Sequence, residues 1–126
     1  MQSRVTLYWS VLLSANVTSP TSVSIDERPA PEACETMVDV RKGVDAIDRA
    51  LVTLLSERQR YMDAAARIKP NREAVFDQAR IDDVIAKVLN TADKAGLSAE
   101  IAEPVWRLLI ERSIAHEFST WDKTRS

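Results

Sequence analysis

The stretch from Val38 to Lys69 constrains the fold most, because its apolar residues repeat with the period of an α-helix. Seven apolar side chains recur at spacings of three, four and their multiples: Val40, Val44, Ile47, Leu51, Leu54, Met62 and Ala65. At about 100° per residue they form one stripe on a helix surface. We therefore predict one long helix from Val38 to Lys69. Pro70 predicts its end, because a residue before proline disfavours helical dihedral angles.

The rest of the composition favours an all-α chain with two further helices. Of 126 residues, 45% are apolar and 29% charged, and only two are glycine. Such a composition is typical of long helices rather than of turn-rich β folds or disordered chains. The second helix is predicted from Val75 or Asp77 to Ala95, where Gly96 ends it.

The third helix is predicted to begin after Ser98, whose side chain can cap it, and to run to Trp121 or Lys123. Pro104 falls in its second turn, so we expect a kink or a delayed start there. Together the three helices account for a domain over residues 36–126.

Residues 1–35 are expected to lie outside this helical domain, as an N-terminal extension or linker. Residues 19–35 hold three of the five prolines among serines and acids, which is linker composition. Arg4 and the following VTLYWSVLLSANV could form an export signal, but polar residues interrupt the apolar run and no Ala-x-Ala site follows. We expect a cytoplasmic protein, with export through a weak signal as the alternative.

Charge, cysteine content and motifs exclude several classes of function. The net charge of −2 gives no basic field for nucleic acid, and no apolar run reaches membrane-spanning length. A single cysteine, Cys34, excludes an intrachain disulfide and a multi-cysteine metal site. The sequence contains no glycine-rich phosphate loop, no HExxH and no Gly-x-Ser-x-Gly. We predict no metal, no cofactor, and no nucleic-acid or membrane partner.

Two cations interrupt the apolar stripe of the long helix. Arg58 and Lys69 point within about 20° of each other, near the middle of the stripe, where leucine would be expected. A cation that faces a core is costly unless an anion meets it. The alternative is that both side chains reach water while their stems cover the core. We interpret the pair as the floor of a site for a small dianion.

The third helix carries a matching polar pair. Ser113 and Glu117 are four residues apart and lie on the apolar face, beside Trp106 and Ile110. A carboxyl group there must be paired, hydrogen-bonded or protonated. The alternatives are a serine bonded to its own helix backbone and a glutamate paired with an arginine or facing solvent. With the two cations, this pair predicts a pocket between helices that binds carboxylates at one end and a hydrogen-bond acceptor at the other.

Arg41 suggests a second copy of the chain. It precedes Arg58 by seventeen residues, which on a helix means a rotation of about 100° and a displacement of about 25 Å. It cannot easily reach the same small ligand from within one chain. If Arg41 belongs to the site, it comes from a second long helix packed antiparallel, so the site would be shared across a two-fold dimer.

From about Val38 to Arg125 the chain resembles the all-helical (type II) chorismate mutases and the related isochorismate pyruvate lyases. The strongest match is DVRKGVDAIDRALVTLLSER, with its Asp-x-Arg opening, Ile-Asp and Leu-Leu-x-x-Arg. The resemblance implies a three-helix protomer with one long N-terminal helix in an intertwined two-fold homodimer. It also implies a dianionic substrate, active sites shared between the subunits and catalysis without a cofactor.

The resemblance also implies roles for residues of the first two helices. Arg41 and Arg58 stand where the family has its two carboxylate-binding arginines. Lys69 stands where it has the lysine that reaches the ether oxygen and a carboxylate. Asp77 and Arg80 match the positions that open the second helix, where the arginine and nearby groups contact the ligand.

The remaining matched positions, on the second and third helices, divide between the two activities. Ser113 and Glu117 match a serine and a Gln/Glu that faces the ether oxygen, as in the mutases. Ile81 stands where many mutases have a glutamate that holds the ring hydroxyl, and the lyases lack an acid there. The eleven-residue step from Lys69 to Arg80 and the ending TWDKTR also resemble the lyases.

We therefore expect a chorismate mutase that rearranges chorismate to prephenate, a step of the shikimate pathway towards aromatic amino acids. The alternative is an isochorismate pyruvate lyase that forms salicylate and pyruvate, and a more distant one is a non-catalytic helical interaction module. The mutase must select a compact conformer and stabilise charge on the ether oxygen. Glu117 can donate a hydrogen bond there only when it is protonated, so activity is expected to fall as pH rises.

Overall fold

The computed structural model describes residues 20–126, and every regular element in that range is helical. Helix α1 spans Met37–Ile68, α2 spans Gln78–Ala95 and α3 spans Ala99–Thr124. Short 3-10 turns cover Pro31–Ala33 and Arg72–Val75. The predicted all-α class and the three helices are confirmed, and α1 begins and ends one residue earlier than predicted.

The helix boundaries have local causes that the sequence already indicated. The Asp77 side chain caps α2 by accepting a hydrogen bond from a first-turn backbone N–H at 3.1 Å. Gly96 ends α2 in the left-handed region, with φ of 79°. Ser98 caps α3 in the same way as Asp77 caps α2, at 3.2 Å. Because α3 begins directly after Ser98 and continues through Pro104, the delayed start considered for this helix is wrong.

Helix α1 runs through two compact units, which divide between Glu57 and Arg58. In the unit that ends at Glu57, the predicted apolar stripe is largely exposed to solvent. Its large exposed side chains include Val40, Val44, Ile47, Leu51 and Leu54. Arg49 pairs with Asp26 at 2.8 Å, and the backbone N–H of Thr21 donates to the Glu57 carboxylate. These contacts fasten the segment before α1 to the helix but leave most of the stripe uncovered.

The unit from Arg58 to Ser126 holds the end of α1, the Arg72–Val75 turn and both later helices. Its buried apolar residues are Ala66, Val75, Ile85, Ala92, Ala102 and Ile110. Glu117 is buried with them, 3% exposed, and is the one buried charged residue of the described range. A charged group in such a position needs a partner of opposite charge or hydrogen-bond donors.

Within residues 20–126, no helix combines the length and the apolar character needed to cross a bilayer. The same residues hold no cluster of three or more histidine, cysteine or acidic side chains arranged to bind a metal ion. The candidate export signal in residues 4–17 lies outside the described residues. The division into an extension of residues 1–35 and a domain of residues 36–126 stays a prediction.

Candidate active site

A cavity of about 330 Å³ opens in the C-terminal unit, a volume in the range of small-molecule sites. Six of the seven site residues predicted from the sequence line it: Arg58, Lys69, Asp77, Arg80, Ser113 and Glu117. Its apolar wall consists of Met62, Ala65, Ala74, Val75, Ile81, Ile110 and Ile114. All three helices and the 3-10 turn therefore contribute to one chamber that is lined by both polar and apolar side chains.

Arg41 is the seventh predicted site residue, and the structure does not bring it to this cavity. It lies in the N-terminal unit, its side chain is exposed, and it is not among the lining residues. The sequence predicted that a second copy of the chain would supply it. That assignment stays a prediction.

Arg58 reaches across the cavity wall from α1 to α3. Its Nη1 donates a hydrogen bond to Ser113 Oγ at 2.7 Å. The Ser113 hydroxyl in turn donates to the Leu109 carbonyl oxygen at 2.6 Å. The serine is thus bonded to its own helix backbone, as the alternative interpretation held, and orients the arginine at the same time.

The charge of Arg58 is left without an anionic partner. No ion pair to it forms within residues 20–126. Partial burial, and secondly repulsion by the positive Arg80, lower the pKa of the Arg58 guanidinium from its usual value. The group stays charged, because arginine does not lose its proton in proteins. A half-buried cation next to a second cation favours the binding of an anionic ligand.

Lys69 and Glu117 form the most buried ion pair of the described residues. Lys69 Nζ lies 2.6 Å from Glu117 Oε2, and the two side chains are 29% and 5% exposed. The same ammonium donates to the carbonyl oxygen of Val75 at 3.5 Å. An ammonium has three donors, so one remains for a ligand. Glu117 is therefore paired, as the sequence required, with lysine rather than arginine.

Arg80 and Asp77 lie at the more exposed side of the cavity. Arg80 Nη1 pairs with Asp83 Oδ2 at 2.6 Å, and Lys87 pairs with the same oxygen at 2.8 Å. The Arg80 side chain is 61% exposed, so this contact stabilises the fold little. The observed contact of Asp77 is its cap on α2. Ligand contacts of both residues stay predictions.

The charges that line the cavity do not cancel. Three cations, Arg58, Lys69 and Arg80, face two carboxylates, Asp77 and Glu117, which gives a formal surplus of one positive charge (3 − 2). The remaining lining residues are apolar. A small anion that carries both carboxylates and an apolar ring fits this mixture of charged and apolar side chains.

Sequence reasoning missed the residues that hold the loop between α1 and α2. Arg72 pairs with Asp122 at 2.9 Å, and Arg125 donates to three backbone carbonyls near the end of α1. The indole N–H of Trp121 donates to the carbonyl oxygen of Lys69 at 3.4 Å. The one local signal for these contacts is Lys69-Pro70, because a helix that ends at a proline leaves its last backbone carbonyls in need of hydrogen-bond donors.

The cavity residues lie in a region that known proteins share. Residues 40–118 match the model of the family described as chorismate mutase type II. The isochorismate pyruvate lyase of Pseudomonas aeruginosa is 30% identical over 95 residues, which cover 75% of this chain and 94% of that protein. The T-protein of Haemophilus influenzae is 30% identical over 92 residues, which cover 66% of this chain but only 22% of that protein.

These matches confirm the resemblance stated from the sequence. The family match includes Arg41 and every polar residue that lines the cavity. The chain therefore belongs to the chorismate mutase type II family.

Proposed function

We propose that this protein is a chorismate mutase that rearranges chorismate to prephenate without a cofactor. The observation that carries the proposal is the buried Lys69–Glu117 pair, which faces a chamber with surplus positive charge. A breaking ether bond places negative charge on its oxygen; a fixed ammonium stabilises that charge, and a neighbouring carboxyl group does so only when it is protonated. The rearrangement has one substrate and needs no nucleophile.

The chamber also fits the positioning that such a rearrangement requires. Chorismate carries two carboxylates on a flexible skeleton, and the reactive conformer is compact. Arg58, oriented by Ser113, would clamp one carboxylate with its remaining N–H groups. The third donor of Lys69 would reach the ether oxygen, while the apolar wall that includes Ile81 excludes water from the ring. Holding the reacting carbon atoms together in this way supplies a large part of the rate acceleration.

The proposal includes a homodimer with shared sites, because one chain leaves the apolar stripe of its N-terminal unit exposed. A row of large apolar side chains exposed along one helix is typical of an interaction surface. An antiparallel second copy would cover Val44, Ile47 and Leu51 and would bring its Arg41 to the second carboxylate.

Mixing two inactive variants tests this shared site. Arg41→Ala and Lys69→Ala are each expected to lose more than about nine tenths of the activity, because each removes a charge from the site. After subunit exchange, half of the dimers are mixed and each has one intact site, so about a quarter of the wild-type activity should return. Labelled subunits and native mass spectrometry confirm that exchange has occurred. Confirmed exchange without recovered activity would contradict the shared site.

A second candidate function is the isochorismate pyruvate lyase reaction. It is supported by the match to the Pseudomonas aeruginosa lyase over 94% of that protein and by the apolar Ile81 in the cavity wall. The same cations would bind isochorismate, and cleavage of the same type of ether bond would release salicylate and pyruvate.

Product analysis decides between the two reactions. The purified protein is incubated separately with chorismate and with isochorismate, and prephenate and salicylate are quantified by chromatography. We expect prephenate from chorismate at a rate that exceeds salicylate formation from isochorismate. Salicylate as the faster product would favour the lyase. Turnover of neither compound would leave a non-catalytic helical module.

A further inference from the structure

The last turns of α3 hold the end of α1 by its backbone. Arg125 donates from Nη1 to the Ala66 carbonyl oxygen at 3.0 Å, and from Nη2 to those of Arg67 and Lys69 at 3.3 and 2.9 Å. The Trp121 indole N–H donates to the same Lys69 oxygen at 3.4 Å. The last carbonyls of a helix lack partners within it, and a cation near them is favourable. Arg125 also lies over the Trp121 ring at 4.3 Å, which fixes the guanidinium.

A second contact from the same turns holds the loop that follows. Arg72 pairs with both carboxylate oxygens of Asp122, at 2.9 and 3.3 Å, and lies 4.5 Å over the Phe118 ring. Arg72 begins the 3-10 turn whose Ala74 and Val75 line the cavity. We name Trp121, Asp122 and Arg125 the C-terminal clasp, because all three grip residues between the end of α1 and this turn.

Lys69 needs such support because it lies one residue beyond the end of α1. Its backbone N–H still bonds to the Ala65 carbonyl oxygen at 2.9 Å, but Pro70 prevents the helix from continuing. Helix α3 therefore holds Lys69 at both ends. Glu117 binds the ammonium, and one turn later Trp121 binds the backbone carbonyl.

We propose that the C-terminal clasp positions Lys69 for catalysis, with Arg125 as the main positioning residue. This inference rests on the proposed function, since it concerns the same ammonium. Arg125 touches no cavity surface and is exposed, so it acts through the backbone of Lys69. Without Arg125, the Lys69 carbonyl oxygen keeps only its hydrogen bond from Trp121. The backbone of Lys69 is then held less firmly, and its ammonium group moves relative to the ether oxygen. A displacement of about 1 Å at a reacting centre costs up to about a hundredfold in rate.

The test compares Arg125→Ala with Arg125→Lys and with the control Lys123→Ala, which removes an exposed cation from the same turn. We expect Arg125→Ala to lower kcat/KM about tenfold. Arg125→Lys should recover little, because an ammonium lacks the planar fork that spans three carbonyls. Millimolar guanidinium should restore part of the activity of Arg125→Ala and none of that of Lys69→Ala. Lys123→Ala should behave as wild type.

Hydrogen exchange tests the clasp in the ligand-free protein, independently of turnover. The amides of residues 71–77 should exchange faster in Arg125→Ala, while those of α2 stay as in wild type. Unchanged exchange at 71–77 would overturn the clasp, and so would uniformly faster exchange over the whole unit, because the role would then be general stability. Wild-type kcat/KM in Arg125→Ala would overturn the positioning role. If the unaltered protein turns over neither compound, the proposed function fails, and with it the catalytic role.

Discussion

Replacing Lys69 with alanine is expected to lower kcat/KM for the proposed reaction by about a thousandfold. The substitution removes a hydrogen-bond donor and a charge from the position where the ether oxygen becomes negative, and one such donor is worth about a hundred- to a thousandfold. The loss should appear mainly in kcat, because the interaction strengthens as the bond breaks. Steady-state kinetics with chorismate measure it. A variant that keeps more than a tenth of the wild-type kcat/KM would remove Lys69 from this role.

The same substitution should also destabilise the protein, because it leaves the Glu117 carboxylate buried without its partner. Breaking a buried ion pair costs roughly 3–5 kcal/mol, and the partial exposure of Lys69 places this pair at the lower end. Urea unfolding of the variant and of the wild type measures the loss. Lys87→Ala is the matched control, because Lys87 pairs with a surface carboxylate, and its effect should stay within about 1 kcal/mol.

Replacing Glu117 with glutamine is expected to remove the pH dependence of the reaction. In the proposed mechanism, the Glu117 carboxyl can donate to the ether oxygen only when it carries a proton, so kcat/KM of the wild type is expected to fall as pH rises. A glutamine amide donates at every pH, and its oxygen can still accept from Lys69. The profile of the variant should therefore be flat within about twofold between pH 5 and 9.

Two acids that pair with arginines beside the cavity, Asp83 and Asp122, do not produce this profile. The hydrogen bond from Arg72 lowers the pKa of Asp122, and hydrogen bonds from Lys87 and then Arg80 lower that of Asp83. A lowered pKa means that the ion pair is fully formed above the unfolded value, about 3.9, and is lost only as pH falls through the lower folded value. Both pairs are thus constant between pH 5 and 9. An identical slope in wild type and Glu117→Gln would exclude Glu117 as the donor.

The helices could be predicted because their causes are local. The apolar period of α1, the stop at Pro70, the Asp77 and Ser98 caps and the left-handed Gly96 each depend on a few neighbouring residues. The inward cations could be predicted for the same reason, since Arg58 and Lys69 break a pattern that the surrounding residues define. The apolar pattern of each helix does not connect these cations with Asp77 and Arg80. The resemblance to the chorismate mutases assigned all four residues to one site.

The contacts between distant side chains could not be predicted from the sequence. Glu117 had to find a partner, but periodicity does not tell whether Lys69 or an arginine reaches it. The ion pair between Arg80 and Asp83 depends on the rotamers of two exposed side chains. The C-terminal clasp joins residues more than fifty positions apart, outside any apolar stripe. Such contacts follow from the packing of α3 against the end of α1, which is a property of the folded unit.

Lys69 already binds a carboxylate, and this contact limits which solutes can bind in the chamber. The fold already holds Glu117 beside the ammonium, so Glu117 binds it without the loss of translational freedom that a phosphate, sulfate or chloride ion from solution incurs. Small inorganic anions must compete with Glu117 for Lys69. Among the three cations that line the chamber, only Arg58 has no carboxylate partner within residues 20–126. A larger anion can contact Arg58, Lys69 and the apolar lining residues at the same time, and these combined contacts can displace Glu117 from Lys69. The chamber can therefore select ligands by their size as well as by their charge.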